Sequence, residues 1–154
     1  MKMPGNRYQV WLALLLAVAA FGARATQARV YEACELAREL RSTYGFPLGQ
    51  IPTFVCIAYH ESRYDTSAVS KPNKDKSIDY GIFQINSRWW CDRGPKLGCG
   101  VTCQTLLVDM NQVAKCVKAI YAETKRLKGD GFKAWTTYKF CKNPDSFTAH
   151  CHLS

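Results

Sequence analysis

Glu61 is a glutamate whose position on a predicted helix suits acid–base chemistry. It lies seven residues after Phe54, with Ile57 and Ala58 between them, so on a helix it shares their apolar stripe. Partial burial of a carboxyl group disfavours its charged form and raises its pKa. Such a group can hold a proton near neutral pH and act as a general acid. The alternative is a glutamate at the margin of the stripe that pairs with Arg63 or with a lysine.

A second carboxyl group, that of Asp79, lies in a strand-like stretch with polar neighbours. Gln84 and Asn86 follow it closely and offer hydrogen bonds, so this carboxyl group is expected to stay ionised at neutral pH. Two carboxyls in opposite environments, one apolar and one polar, form the acid and nucleophile pair of glycoside hydrolysis. Trp89 and Trp90 come next, and aromatic rings suit the apolar faces of sugars. The alternative for the two tryptophans is core packing.

Metal chemistry has two weaker signals in the sequence. His60 followed by Glu61 is similar to a zinc-protease helix, but the second histidine that such a site needs is replaced by Tyr64. Cys99 and Cys103 have a spacing that zinc ligands can use, yet no second compact pair of ligands completes a site. We therefore expect no metal and no cofactor.

The N-terminus has the pattern of a secretory signal. Lys2 and Arg7 precede an apolar run, Val10–Phe21, which is short for a membrane span, and small residues follow it. Cleavage is predicted after Ala25 or Ala28. Residues 1–28 carry three basic and no acidic residues, so their removal lowers the formal net charge from +9 to +6. The sequence thus predicts a signal peptide over residues 1–28 and a small, basic, secreted protein without a stable membrane anchor.

The rest of the chain, residues 29–154, reads as one domain. Hydrophobic residues make up 47% of the sequence and aromatic residues 12%, which excludes a disordered chain. All eight cysteines lie in this part, and an even number in a secreted protein implies four disulfides whose pairing the spacing leaves open. The predicted elements are helices over 33–43, 52–64 and 106–127, a strand around 78–82, a cysteine-stapled loop over 91–103 and a short helix around Trp135. This pattern is α+β, with two lobes and a cleft.

Three segments together resemble the C-type (chicken-type) lysozyme family. They are Cys34–Ala37, Val55–Ser62 and Asp79–Cys91. The order and approximate spacing of the eight cysteines match as well, so the resemblance covers nearly all of residues 29–154. The chain is identified as an invertebrate-like member, which implies a helical lobe, a small antiparallel β-sheet lobe and four disulfides.

The resemblance assigns roles to residues of this chain. Glu61 would be the general acid and then the base, and Asp79 the nucleophile or electrostatic partner, giving retention at the anomeric carbon. Trp135 would form part of the apolar surroundings of the acid. The substrate-binding positions implied are Asn73, Gln84, Asn86, Trp89, Trp90 and Trp135. The implied disulfides are Cys34–Cys151, Cys56–Cys141, Cys91–Cys103 and Cys99–Cys116.

Some features depart from the family pattern. The turn before Asp79 reads Asp75-Lys76-Ser77, without the glycine that many members carry. Calcium-binding relatives such as alpha-lactalbumin place several aspartates after the third loop cysteine. Only Asp109 occupies the corresponding stretch here, so we expect no calcium site.

The function that the resemblance implies is that of a secreted glycoside hydrolase. It would cut the β-1,4 bond between N-acetylmuramic acid and N-acetylglucosamine in bacterial peptidoglycan, as an antibacterial or digestive enzyme. Chitin oligosaccharides are further candidate ligands, and we expect a monomer that binds no nucleic acid. The alternatives are a sugar-binding protein without activity on the same scaffold and a cationic protein that disrupts membranes. The catalytic pair favours the enzyme, and a charge of +6 favours defence over digestion.

Overall fold

The computed structural model describes residues 28–94 and 97–153 of the chain. The predicted signal peptide therefore lies outside the described residues, except for Ala28. The α-helices are α1 (Ala33–Ser42), α2 (Ile51–Ser62) and α3 (Met110–Lys128). Short 3₁₀-helices cover Leu48–Gln50, Gln104–Leu107, Gly131–Ala134, Thr136–Phe140 and Pro144–Phe147. Strands β1 (Asp79–Tyr80) and β2 (Ile85–Asn86) form a small antiparallel sheet, so the α+β prediction is confirmed.

No helix among residues 28–94 and 97–153 is both long and apolar enough to cross a membrane.

Helix α1 forms where the sequence analysis predicts it. Glu32 and Glu35 make a reciprocal capping box at its start, which satisfies backbone N–H groups that have no partner within the helix. Leu36 and Leu40 lie on one face and are fully buried. The helix thus contributes one apolar stripe to the core, as the spacing of the two leucines indicates.

Helix α2 is the centre of the core, which differs from the predicted amphipathic stripe. Every residue from Thr53 to Ala58 is buried, so this part of the helix has no solvent face. Phe54 makes edge-type contacts with several surrounding rings, including Phe46, Phe83 and Trp135. A helix that is enclosed on all sides has a continuous run of apolar residues in its sequence. In α2 the residues of the last turn are partly exposed to solvent.

Strand β1 is shorter than the predicted strand over 78–82. The alternation ends because Gly81 turns the chain with a φ of +74°, and a β-carbon there would lie 2.7 Å from the carbonyl oxygen of Leu106. Ile82 and Phe83 lie in the turn and are fully buried, so their apolar character serves the core and not a strand face. Two strands of two residues each remain, with Asp79 opposite Asn86.

The region around Trp135 also differs from its prediction. Two 3₁₀-helices, Gly131–Ala134 and Thr136–Phe140, replace the single short helix, and Trp135 lies between them in an extended conformation. The extended residue turns the indole ring into the core.

All eight cysteines are paired in four disulfides. The pairs are Cys34–Cys151, Cys56–Cys141, Cys91–Cys103 and Cys99–Cys116, as the family resemblance implies. Cys99 and Cys103 therefore have no thiolate to offer a zinc ion, because each is bonded to a different partner. The last two bridges staple the loop over 91–103 and tie it to α3.

Candidate active site

Glu61 lies in the last turn of α2, where the helix leaves the core. Ser62 follows it and donates to the carbonyl oxygen of Ile82 at 2.9 Å, which ties this helix end to the turn between the strands. Arg63 and Tyr64 then take the left-handed conformation, with φ of 56° and 67°, so the chain turns away sharply. The Glu61 side chain is left half-buried between the helix end and the sheet.

The pKa of Glu61 is raised above its ordinary value, mainly because burial removes water from the carboxyl group. The Thr137 hydroxyl donates to Glu61 Oε1 at 2.6 Å and opposes this shift by stabilising the charged form. The negative charge of Asp79 raises the pKa of Glu61 further. Burial therefore prevails over the hydrogen bond, as the sequence analysis expects.

The alternative role for Glu61, an ion pair with Arg63 or a lysine, is not formed within residues 28–94 and 97–153. The Arg63 guanidinium lies instead over the Tyr59 ring, 4.0 Å from its centroid. The Arg63 charge therefore faces an aromatic ring. Among the described residues, the side-chain hydrogen-bond partner of Glu61 is the neutral hydroxyl of Thr137.

Asp79 is held on the sheet by two asparagine side chains. Oδ1 accepts a hydrogen bond from Asn86 Nδ2 at 2.7 Å, and Oδ2 accepts one from Asn73 Nδ2 at 3.0 Å. Asn86 is the residue opposite Asp79 in the β1–β2 pair, which brings their side chains to the same face. The Asp79 backbone pairs with Ser70, so the carboxylate is oriented from several sides.

Behind the asparagines lies a second group of polar residues that the sequence analysis did not assign to the site. Ser77 Oγ accepts from Asn73 and Asn86 at 3.1 and 2.9 Å and donates to Asp75 Oδ1 at 2.6 Å. Asp75 Oδ2 pairs with Arg88 at 3.1 Å. The hydrogen bonds from Ser77, and then the Arg88 charge, lower the pKa of Asp75. The network fixes both amides that hold the aspartate.

The turn that places Ser77 could have signalled this network. Lys76 occupies its left-handed position with a φ of 65°. A non-glycine residue in this conformation is uncommon, so the turn is held by the hydrogen bonds around it. Asp75 two residues before Ser77 is the local signal, because aspartate accepts from the backbone of such turns.

The predicted sugar-binding tryptophans differ in exposure. Trp89 is 61% exposed, and the guanidinium of Arg88 lies 5.4 Å from the centroid of its ring. Trp90 is half-buried against the stapled loop, where its carbonyl oxygen accepts from the Cys99 N–H at 2.8 Å. Of the two, Trp89 offers a free aromatic face, and the sugar contacts of both stay predictions.

Gln84 and Trp135 hold the site together from within. The Gln84 amide donates to the carbonyl oxygens of Ala68 and Gly81, so it supports the turn between the strands. Trp135 is 7% exposed and its Nε1 donates to the carbonyl oxygen of Phe83 at 3.0 Å. Both side chains have structural partners, and direct sugar contact by either stays a prediction.

The arrangement combines a half-buried carboxyl group, whose pKa burial raises, with a second carboxyl group that two neutral amides hold in place. Such a pair can deliver a proton to one atom while it stabilises or attacks a neighbouring electron-poor carbon.

The chain is similar to known proteins over most of its length. The model of the C-type lysozyme/alpha-lactalbumin family matches residues 29–151. "Putative lysozyme C-2" from Rattus norvegicus is 40% identical over 127 residues, which cover 77% of this chain and 82% of that relative. "Lysozyme P" from Drosophila melanogaster is 39% identical over 133 residues, which cover 83% of this chain and 89% of that relative.

Solved structures show the same likeness. A lysozyme from Litopenaeus vannamei superposes with a TM-score of 0.72 at 36% identity, covering 82% of this chain and all of that one. A lysozyme from Equus asinus superposes with a TM-score of 0.68 at 32% identity and covers 81% of this chain and all of its own. The predicted lysozyme-like fold is thereby confirmed, and the relatives include both invertebrate and vertebrate proteins.

Proposed function

Because the chain belongs to the C-type lysozyme/alpha-lactalbumin family, we propose that it is a secreted, antibacterial glycoside hydrolase of the cell wall. Its substrate is the β-1,4 bond between N-acetylmuramic acid and N-acetylglucosamine in peptidoglycan, with chitin oligosaccharides as a related ligand. The predicted signal peptide directs the protein out of the cell, and the charge of +6 that remains attracts it to anionic walls.

The observation that carries the proposal is the contrast between Glu61 and Asp79. Burial raises the pKa of Glu61, so this residue keeps a proton at a pH where ordinary carboxyls have lost theirs. Asp79 is held differently, because the side-chain amides of Asn73 and Asn86 each donate to one of its carboxyl oxygens. This division of environments is what a retaining glycosidase requires of its two carboxyls.

The first half of the reaction uses both groups together. Glu61 gives its proton to the glycosidic oxygen, and the electron pair of the breaking bond stays on that oxygen. The Asp79 carboxylate attacks the anomeric carbon, which carries positive charge in the transition state. Asn73 and Asn86 keep the carboxylate aimed, so little reorganisation is needed as the bond forms.

The second half releases the sugar and restores the enzyme. Glu61, now a carboxylate, takes a proton from a water molecule, and the oxygen of that water attacks the anomeric carbon. The bond to Asp79 breaks and its electrons return to the carboxylate. Two inversions at the same carbon leave the configuration of the product unchanged.

The alternatives lead to different requirements for the same residues. A sugar-binding protein needs the exposed Trp89 and the asparagines but no proton donor, and a cationic membrane-disrupting protein needs neither carboxyl group. The half-buried Glu61, whose pKa burial raises, favours the enzyme, because a binding surface gains nothing from a partly desolvated carboxyl group.

The experiment is the clearing of a Gram-positive cell-wall suspension by the purified protein, with release of reducing sugar ends measured in parallel. Glu61→Gln keeps the size of the side chain but removes the proton, so both readouts should fall by about 10²–10⁴-fold. Glu123→Gln is the matched control, since this glutamate is exposed on α3. Wall clearing that persists in Glu61→Gln without new reducing ends would replace hydrolysis with membrane disruption.

A further inference from the structure

Thr137 makes the one side-chain hydrogen bond to Glu61 within the described part of the chain. Its Oγ1 lies 2.6 Å from Glu61 Oε1, and the two residues are 76 positions apart in the sequence. The contact joins the 3₁₀-helix Thr136–Phe140 to the last turn of α2. It is short and partly buried, as expected for a hydroxyl that donates to a charged acceptor.

The segment that carries Thr137 is fixed at both ends. Trp135 precedes it and is anchored through its Nε1 to the carbonyl oxygen of Phe83 at 3.0 Å. Cys141 follows it and is bonded to Cys56 in α2, the helix that carries Glu61. Thr137 and Glu61 are therefore held on two elements that are covalently linked, and the hydroxyl has little freedom to leave the carboxyl group.

We infer that Thr137 is a positioning residue for Glu61: its hydroxyl occupies Oε1 and leaves Oε2 as the oxygen that carries the proton. The inference rests on the proposed function, because it specifies how the acid of that reaction is aimed. During bond cleavage the proton moves from Oε2 to the glycosidic oxygen, and during hydrolysis Oε2 takes a proton from water.

A hydroxyl partner suits a group that changes its protonation state in every turnover. It donates to Oε1 in the carboxylate form, and it donates to the same atom, then the carbonyl oxygen, when Oε2 carries the proton. The Glu61 carboxyl group can therefore keep one orientation when it acts as an acid and when it acts as a base. Removing the hydroxyl has two consequences: Glu61 loses an orienting contact, and its carboxylate loses a donor that opposes the effect of burial.

The test compares two neighbouring threonines of the same 3₁₀-helix. Thr137→Val removes the hydroxyl with little change of shape, and Thr136→Val makes the same change at an exposed position. Thr137→Ser restores a hydroxyl, and Thr137→Ala serves as a second deletion if the valine variant folds poorly. The readouts are the titration of the Glu61 carboxyl carbon by ¹³C NMR and the pH profile of kcat and KM on a soluble oligosaccharide.

We expect the Glu61 titration midpoint to rise by about 0.5–1 pH unit in Thr137→Val and to stay in place in Thr136→Val. The alkaline limb of kcat should move by the same amount, kcat should fall about tenfold and KM should change little. Thr137→Ser should restore the midpoint and most of kcat.

Two results would overturn the inference. An unchanged midpoint in Thr137→Val means that the hydroxyl does not bind the carboxyl group. A raised midpoint with unchanged kcat at the optimum means that the contact sets proton affinity without aiming the acid. Failure of the proposed function looks different: the wild-type protein then releases no reducing ends, although the NMR midpoint still responds to Thr137→Val.

Discussion

The end of helix α2 and the two-stranded sheet each present one carboxyl group to the candidate site, and they hold it in different ways. Glu61 emerges from a helix whose middle part is buried on all sides, and the Thr137 hydroxyl donates to its Oε1. Asp79 lies on a strand of two residues, and two amides bind its oxygens. The helix end supplies desolvation, whereas the sheet supplies orientation. The elements that carry these two carboxyl groups thus place them in different environments.

The largest expected effect comes from removing the charge that the sheet orients. Asp79→Asn should lower the release of reducing ends by more than about a hundredfold, because a neutral amide neither attacks the anomeric carbon nor stabilises positive charge as well. Asp145→Asn is the control, since this aspartate lies in the 3₁₀-helix Pro144–Phe147 and is not part of the hydrogen-bond network described around Asp79. Equal losses in the two variants would remove the special role of Asp79.

A smaller effect should follow when only the orientation is weakened. Asn86→Ala deletes the 2.7 Å hydrogen bond to Asp79 Oδ1 but leaves Asn73 on the other oxygen. We expect kcat to fall about tenfold, as for the loss of one hydrogen bond to a charged group. Asn111→Ala, at an exposed position in α3, should leave kcat unchanged. An unchanged kcat in Asn86→Ala would show that the sheet holds Asp79 without this amide.

Asp109 carries a third carboxyl group, which serves as the N-cap of helix α3. Its Oδ1 accepts from the backbone N–H groups of Asn111 and Gln112 and caps the start of α3. Asp109→Ala should lower the free energy of unfolding by about 1 kcal/mol and leave specific activity unchanged.

Because the Asp109 carboxylate already accepts two backbone hydrogen bonds, a chelator should not change the melting temperature of the wild-type protein. A clear drop after chelation would reveal a cation site in this segment.

The smallest expected effect concerns stability and pH. Since burial raises the pKa of Glu61 in the folded protein, the folded state holds this proton more tightly than the unfolded state. Stability should therefore fall as pH rises from the ordinary value of about 4.3 through the raised folded value. Glu61→Gln has no carboxyl group at this position and does not lose stability in this way. The free energy of unfolding of Glu61→Gln minus that of the wild-type protein should therefore grow over that pH range and then level off. Urea unfolding at several pH values measures the difference, and an advantage that shrinks with rising pH would contradict the burial of Glu61.

The sequence predicted more of the site than of the structure around it. Glu61 and Asp79 stand in recognisable segments, and leucine spacing located helix α1. The strand over 78–82 was predicted too long, because a buried turn and a strand face both use alternating apolar residues. Ile82 is apolar to fill the core, and the positive φ values of Gly81 and Gln84 mark the turn.

The supporting residues were harder to predict for a different reason. Thr137 lies far from Glu61 in sequence, and its contact depends on how the 3₁₀-helix packs against α2. Ser77 is an ordinary turn residue until the asparagines on either side of Asp79 meet it. Contacts between distant segments leave no periodic pattern, so local reasoning identifies the two candidate carboxyl groups before the residues that hold them.

The most direct test of the contrast between the two regions is the titration of the Glu61 carboxyl carbon by ¹³C NMR in the wild-type protein, assigned through its disappearance in Glu61→Gln. We expect a midpoint above the ordinary glutamate value of about 4.3, because burial and the Asp79 charge together outweigh the hydrogen bond from Thr137. A midpoint at or below that value would contradict the contrast, since Glu61 would then hold its proton no more tightly than an ordinary glutamate.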